Sequence, residues 1–175
     1  MQIRRALPQD IPGVDKLLNQ VNLIHHKGRP DIFNVGRKYT DEELTEIFSD
    51  DKRPVFVAVD ENETVLGYAF CQMEEVKDDN IRVSMKSLYI DDICVDENIR
   101  GQQIGKRLYD HVRAFAKDAG CYHITLNVWT LNPGAQAFYE RMGMKPLKTV
   151  MEDVLQMLPS GGRCHSASTA VPRSI

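Results

Sequence analysis

The sequence has no apolar run approaching a membrane span, no internal repeat and no surplus of positive charge. Its start, Met1-Gln2-Ile3-Arg4-Arg5, lacks the apolar core of a signal peptide, so neither a membrane nor a secretory route is predicted. The net charge of -3 gives no reason to expect nucleic acid, which usually wants a basic domain. Cysteine is scarce: Cys71, Cys94, Cys121 and Cys164 show no C-x-x-C or zinc spacing, which predicts no metal and fits a reduced cytoplasm. What remains is 42% hydrophobic content across 175 residues, enough for one ordinary domain with a real core.

Periodicity assigns most of the chain. Ile3 to Ala6 reads as a strand, and Gln9 to His25 as a helix with Ile11, Val14, Leu17, Leu18, Val21 and Ile24 on one face. The helix ends in a polar loop, His25-His26-Lys27-Gly28-Arg29-Pro30. With no third ligand in view, the histidine pair reads as a solvated helix end. Thr40 followed by Glu43 fits a capping box for a second helix running to Phe48. Val55 to Val59 and Val65 to Met73 read as a hairpin, with Gly67 as a bulge or close contact, and Glu74 to Asn80 as a charged loop. A strand over Ser87 to Val95 follows. His123 to Trp129 alternates as a further strand, Asn132 opens a last helix, and Lys145 to Leu155 supplies two short strands. Beyond 157 the chain (158–175) is rich in Ser and Gly without periodicity, which predicts a flexible tail.

The stretch Ile90 to Lys106, IDDICVDENIRGQQIGK, organises the rest. A β-rich run ends at Val95, and Arg100-Gly101-Gln102-Gln103-Ile104-Gly105 leads into a helix with Ile104, Leu108, Val112, Phe115 and Ala119 in one stripe. Strand, glycine turn and helix start suit a phosphate, because unpaired N–H groups and the helix dipole favour an anion there. A packing-only glycine turn reads the same way. The spacing excludes a Walker loop, since Gly101 and Gly105 are too close together and Lys106 is followed by Arg107. It also excludes the G-x-G-x-x-G dinucleotide pattern.

This stretch resembles the acetyl-CoA signature R/Q-x-x-G-x-G/A of the GNAT acetyltransferases, matched by Arg100, Ile104 and Gly105, with Gln103 in place of the first motif glycine. A second block strengthens the resemblance. Asn132-Pro133-Gly134-Ala135-Gln136-Ala137-Phe138-Tyr139-Glu140-Arg141-Met142-Gly143-Met144 is similar to the family's N-x-x-A-x-x-F/L-Y-E-x-x-G-F, departing only at Met144. The resemblance covers Met1 to Leu155 and implies an α/β (α+β) fold in one domain, 1–157. That fold is a mixed, mostly antiparallel central sheet of about seven strands with splayed middle strands, flanked by four helices.

The resemblance also implies roles. Acetyl-CoA would be the cosubstrate, held by the backbone of Ile93, Cys94 and Val95 as an added strand, by the cradle Arg100, Gly101, Gln102, Gln103, Ile104, Gly105 and Lys106, and by Asn132. For Asn132, pure helix capping stands equally open. Tyr139 would give the departing thiolate its proton, with a locally satisfied half-buried aromatic as the alternative. The family's glutamate base has no counterpart in Thr125-Leu126-Asn127-Val128. Tyr89-Ile90-Asp91-Asp92-Ile93-Cys94-Val95 resembles the diamine acetyltransferase branch, Y-L-E-D-I-Y-V, which makes Asp91 the base and Asp92 an attractant for a cationic amine. Successive strand residues face opposite sides, so both reach one site only if a bulge intervenes. His26 and Phe33 are expected to line the acceptor pocket. The resemblance admits a homodimer. Three function classes stand: an amine N-acetyltransferase, a non-catalytic acyl-CoA sensor, and an interaction module. Tyr139 together with Asp91 favours the enzyme.

Overall fold

The structure is a computed structural model, and it describes residues 1–155. The chain divides into two units, Met1–Lys145 and Pro146 onward. The first is built from β1 (Gln2–Arg5), α1 (Ile11–Gly28), α2 (Asp41–Ser49), β2 (Val55–Val59), β3 (Val65–Val76), β4 (Met85–Val95), α3 (Ile104–Asp118), β5 (His123–Leu126) and α4 (Pro133–Arg141), with short 3-10 turns at Pro8–Asp10 and Glu97–Ile99. No helix among the described residues is long and apolar enough to cross a membrane.

The five described strands lie in the order β1-β2-β3-β4-β5. The first three pairings are antiparallel and β4–β5 is parallel. A parallel step needs a crossover, and α3 supplies it. This is the mixed, mostly antiparallel sheet flanked by four helices that the family resemblance implies. Both of its faces are covered, which is why β2, Val-Phe-Val-Ala-Val, is buried at every position. On one face Val55, Val57, Val59, Tyr68 and Phe70 meet Val14, Leu17 and Leu18 of α1 and Leu44, Ile47 and Phe48 of α2. On the other, Phe56, Ala58, Ala69, Leu88 and Ile90 meet Ile104, Leu108, Val112 and Ala116 of α3, together with Tyr139.

Local signals set the helix ends. Thr40 accepts from the Glu43 amide at 3.2 Å while Glu43 accepts from the Thr40 amide at 2.7 Å, the reciprocal box read from sequence. Asn132 accepts from the Ala135 amide at 3.1 Å with Pro133 as the first helical residue. Gly120 ends α3 at φ +73°. Along α1 the expected stripe is buried through Leu18, but Ile24 is exposed.

Several boundaries differ from the sequence reading, and α1 runs on through His25 to Gly28. β3 continues to Val76 and β4 starts at Met85, so the Glu74–Asn80 loop is partly ladder, because backbone pairing extends past the end of the apolar alternation. β5 stops at Leu126, short of Trp129. The two closing strands expected over Lys145–Leu155 do not form among the described residues: 146–155 contain no strand or helix, Pro146 lacks an N–H, and Leu147, Val150, Met151 and Leu155 are exposed. The described sheet therefore has five strands where about seven were expected. The tail read over 158–175, with residues 156 and 157, lies outside the described residues.

Gly67 marks the tightest approach in the sheet. A Cβ there would stand 2.7 Å from the Cys94 carbonyl oxygen and 3.1 Å from Leu108. The β2–β3 register also shifts beside it, between Ala58 and Val59. Gly67→Ala is expected to cost about 1–3 kcal/mol of stability, as overpacking does, measurable as a lowered urea midpoint; an unchanged midpoint would mean that β3 and β4 are not held this close.

Candidate functional site

The site begins with a register shift. Phe70 pairs with Asp92 but Cys71 pairs with Ile90, so Asp91 is an extra residue in β4. The consequence follows from strand alternation. Before the bulge, Leu88 and Ile90 point into the α3 core, which leaves Asp91 on the α1/α2 side. After it, Ile93 packs towards α3 and Cys94 into the α1/α2 core, which puts Asp92 on the α1/α2 side as well. Two adjacent carboxylates that a regular strand would separate therefore share one face.

Each carboxylate has its own partner. Lys38, in the α1–α2 loop, donates to Asp91 at 3.0 Å. Tyr68 of β3 donates to Asp92 at 2.6 Å. Asp92 keeps some accessible surface yet is closely surrounded by protein, and burial pushes its carboxyl above the ordinary range against the opposing pull of the Tyr68 bond and the Lys38 charge. Burial and the charge of Asp92 hold the Tyr68 hydroxyl well above its usual value, so it stays a donor. Burial works against the Lys38 ammonium, but Asp91, Tyr39 and Asp92 together outweigh it and the lysine is held more basic than usual. Asp91 also lines an open hollow with Tyr39, Phe70 and Gln72.

The bulge coincides with the end of the parallel ladder. β4–β5 pairing stops at Ile90↔Leu126, and among the described residues no strand pairs with Asp91–Val95 on the edge away from β3. The chain beyond β5 turns off instead: Asn127 donates to the Tyr89 hydroxyl at 3.1 Å, and Trp129 meets Phe33 edge-on at 5.3 Å between centroids. Leaving β4 without a neighbour here exposes a row of backbone groups to whatever enters.

Tyr139 is carried by α4. Its ring is buried in the α3-side core, 6.3 Å from the ring of Tyr109 and 5.1 Å from that of Phe138. Ala135 and Phe138 on the same helix, and Met142 just past its end, are half-buried. The Tyr139 hydroxyl has no hydrogen-bond partner among the described residues. Because no buried polar side-chain atom there is left unpartnered, the hydroxyl must reach accessible space. Burial first, and the charge of Asp92 second, push its acidity well below that of a free phenol.

At the far end of β4 the cradle forms. Gly101 sits at φ +84° and Gln103 at φ +60°. The second is strained for a residue with a side chain, at the position where the resembling motif has glycine. Among the described residues none of the six backbone amides from Gly101 to Lys106 donates to a protein acceptor. A run of unpaired amides at the start of a fifteen-residue helix fits a pyrophosphate. Gly105 is different in kind: a Cβ there would meet Phe138 at 3.5 Å and Val95 at 3.6 Å, ordinary contact, so its smallness widens the groove rather than answering a backbone need. Arg100 and Lys106 are exposed beside the run, Lys106 paired with Asp110. Gln20 and Lys16 of α1 fix the approach. Gln20 donates to the Val95 carbonyl at 3.2 Å and accepts from the Glu97 amide at 3.1 Å, and Lys16 pairs with Asp96 at 2.7 Å.

Of the residues singled out from sequence, Asp91 and Asp92 share one face of β4, and Ile93, Cys94 and Val95 lie where its edge away from β3 has no strand partner among the described residues. Residues 100–106 follow its end, and Tyr139 and Asn132 sit on and at the start of α4. Cys94 turns its thiol away from the cleft into the α1 side, within 3.4 Å of the Gln20 amide. His26 does other work: a ring nitrogen lies 2.6 Å from the Phe33 carbonyl oxygen and pins the loop. Its neighbour His25 is the one that meets Phe33 (4.9 Å) and Trp129 (6.3 Å) and feels the charge of Asp92. Helical spacing carried that signal, since His25 lies seven residues after Leu18 and four after Val21, on the inward stripe. Lys38, Tyr39 and Tyr68 had no sequence signal. Among the described residues no group of three or more His, Cys, Asp or Glu is placed to hold a metal ion.

The chain is similar to known proteins along most of its described length. The model of the Acetyltransferase (GNAT) family matches residues 21–144. A crystal structure of a mutant of the BH1408 protein from Bacillus halodurans is 32% identical with a TM-score of 0.86, covering 89% of this chain and 100% of that one. Peptidyl-lysine N-acetyltransferase YjaB of Salmonella typhimurium is 30% identical over 105 residues, 59% of this chain and 59% of that protein. Glucosamine 6-phosphate N-acetyltransferase of Arabidopsis thaliana is 36% identical over 59 residues, 34% of this chain and 38% of that protein. The chain thus spans less than two thirds of the length of these two curated relatives.

The buried carboxylate makes stability depend on pH with a definite sign. A carboxyl raised by folding binds its proton more tightly in the native state, so stability falls as pH rises from the unfolded value, about 3.9, through the folded one. Asp92→Asn keeps an acceptor for Tyr68 and removes the charge. Its melting temperature should exceed that of the unmodified protein by roughly 2–4 °C at pH 8, and the gap should close towards pH 4. A gap that does not vary with pH would mean that Asp92 is not held in this environment.

Proposed function

The chain belongs to the GNAT acetyltransferase family, and on that premise we propose that it moves the acetyl group of acetyl-CoA to a primary amine by direct attack in a ternary complex. The observation that carries this reading is the unpaired edge of β4 from Asp91 to Val95, with a free run of amides at one end and the Tyr139 hydroxyl opening onto accessible space. Acetyl-CoA supplies an activated thioester, and the residues present fit it: 101–106 offer N–H donors for the pyrophosphate and Ile93–Val95 an edge for the pantetheine arm. Arg100 and Lys106 add positive charge beside the phosphates. Asn132 is engaged as a helix cap through its side-chain oxygen, which leaves its amide group to face the arm.

Transfer to an amine needs a proton acceptor, a stabilised oxyanion and a proton donor. Asp91, brought to the acceptor side by the bulge, takes the proton of the attacking ammonium, through water where the shorter Asp side chain falls short. A backbone N–H of the β4 edge polarises the thioester carbonyl. Tyr139, with its phenol held neutral by burial, gives its proton to the departing thiolate. Asp92 draws a cationic amine in, and His25, Phe33 and Trp129 wall the entrance.

The acceptor follows from the same charges. Two carboxylates on one face favour a cationic amine. Among relatives, YjaB is a peptidyl-lysine enzyme and the Arabidopsis protein takes a sugar phosphate amine. A lysine side chain or polyamine suits the acidic pair better than an anionic sugar phosphate does.

Acetyl-CoA should raise the melting temperature by mass action, and thiol release across a panel of amines should reveal turnover. Tyr139→Phe keeps the packed ring, so cofactor affinity should hold while turnover falls by about a hundred- to ten-thousand-fold. Asp91→Asn should lose most activity at low pH and recover part of it as pH rises and free amine appears. Binding without thiol release on any amine would instead favour an acyl-CoA sensor, and full activity in Tyr139→Phe would place the acid elsewhere.

A further inference from the structure

The transferase reading leaves Lys38 without a role, although the loop carrying it is tightly held. Arg37 beside it is clamped to Asp15 of α1 at 2.7 Å and to Asp41 at the start of α2. Asn22 donates to the carbonyls of Asn34 at 3.1 Å and Gly36 at 2.7 Å. On the other side Tyr39 stacks on Phe70, centroids 6.0 Å apart and planes 18° off parallel. With its backbone fixed on both flanks, Lys38 extends to Asp91, keeping 40% of its side-chain surface exposed. Its ammonium also feels the charge of Asp92.

As a surface ion pair this contact would add little to stability. Its chemistry is more telling. A primary amine rests on the carboxylate assigned as base, beside the carboxylate assigned to recognise a cation, at the bulge where the open edge of β4 begins. An external acceptor has to bring its own amine to that same place. We infer that Lys38 is itself an acceptor, acetylated in cis when acetyl-CoA is bound and no external amine has displaced it; this rests on the transferase reading. Asp91 takes one proton from the Lys38 ammonium, and the Nζ lone pair attacks the thioester carbonyl. The N–C bond forms, the C–S bond breaks, and the thiolate takes the Tyr139 proton. The nitrogen gives up its second proton as the tetrahedral adduct collapses, restoring the Tyr139 phenol through water. The products are Nε-acetyl-Lys38 and free CoA, with no change of oxidation state. Acetylation cancels the lysine charge and ends the pairing with Asp91. Because that pairing holds the amine protonated, the reaction runs faster at alkaline pH than at neutral pH.

The test incubates the full chain with acetyl-CoA and no amine, and maps acetyl groups by peptide mass spectrometry. One acetyl group on Lys38 is expected, accumulating with a first-order rate constant that is unchanged on roughly ten-fold dilution and falls about a hundred-fold or more in Tyr139→Phe. Lys38→Arg keeps the ion pair and should abolish the signal. The inference is overturned by an unmodified Lys38 in protein whose melting temperature rises with acetyl-CoA. It is equally overturned by Lys38 acetylation that scales with protein concentration or is indifferent to Tyr139→Phe, the marks of transfer in trans or of spontaneous chemistry. Turnover of an added amine with Lys38 unmodified sinks this inference alone, whereas protein that neither binds acetyl-CoA nor releases thiol with any amine sinks the transferase reading and this inference together.

Discussion

One extra residue in β4 governs this structure. Without the bulge at Asp91, alternation would send one carboxylate of the Asp91–Asp92 pair into the α3 core, where nothing charged could be tolerated. With it, both face the α1/α2 side, and the strand turns away from β5 after Ile90. Opening the sheet and gathering the charges are therefore a single geometric event. Bulges strengthen local twist and re-aim side chains, and here the re-aimed side chains are those from which the chemistry is argued.

An opened sheet has to be held open by its surroundings. Gln20 and Lys16 of α1 stitch the end of β4 and the following turn in place, and Gly67 lets β3 approach the Cys94 carbonyl closely enough to anchor the other edge. The site is also where the chain departs most from easy stability. It keeps a carboxylate against burial at Asp92, a left-handed Gln103 and six amides without a protein acceptor among the described residues. Strain and unsatisfied polarity concentrated in one cleft are what a ligand-binding surface looks like before its ligand arrives.

Much of this could be read from sequence because it is local. The caps at Thr40 and Asn132, the stripe on α3 and the glycine turn at 101 each depend on residues within a few positions of one another. Two motif blocks in the right order then implied the fold that joins them. What sequence reading missed depends on residues distant in the chain. The bulge was legible only as a condition for both acids to share one site, since its cause is the register against β3. The extension of β3 to Val76 is a ladder effect, invisible to hydrophobic alternation. The strands expected after Lys145 failed because alternation alone cannot supply a partner. Lys38 joined the site through a loop whose path is set by Asn22, Arg37 and Tyr39, and no spacing rule connects it to Asp91. His25 rather than His26 faces the aromatic wall, a choice that helical phase could have made.

The central claim is that the split between β4 and β5 is a cofactor groove. Amide hydrogen exchange with and without CoA tests it most directly, because it reports on the backbone groups in question and needs no acceptor. The account predicts that CoA slows exchange at Ile93–Val95 and across Gly101–Lys106, with β1 and β2 unaffected. Exchange at both segments unchanged by saturating CoA, or protection confined to another part of the chain, would contradict it.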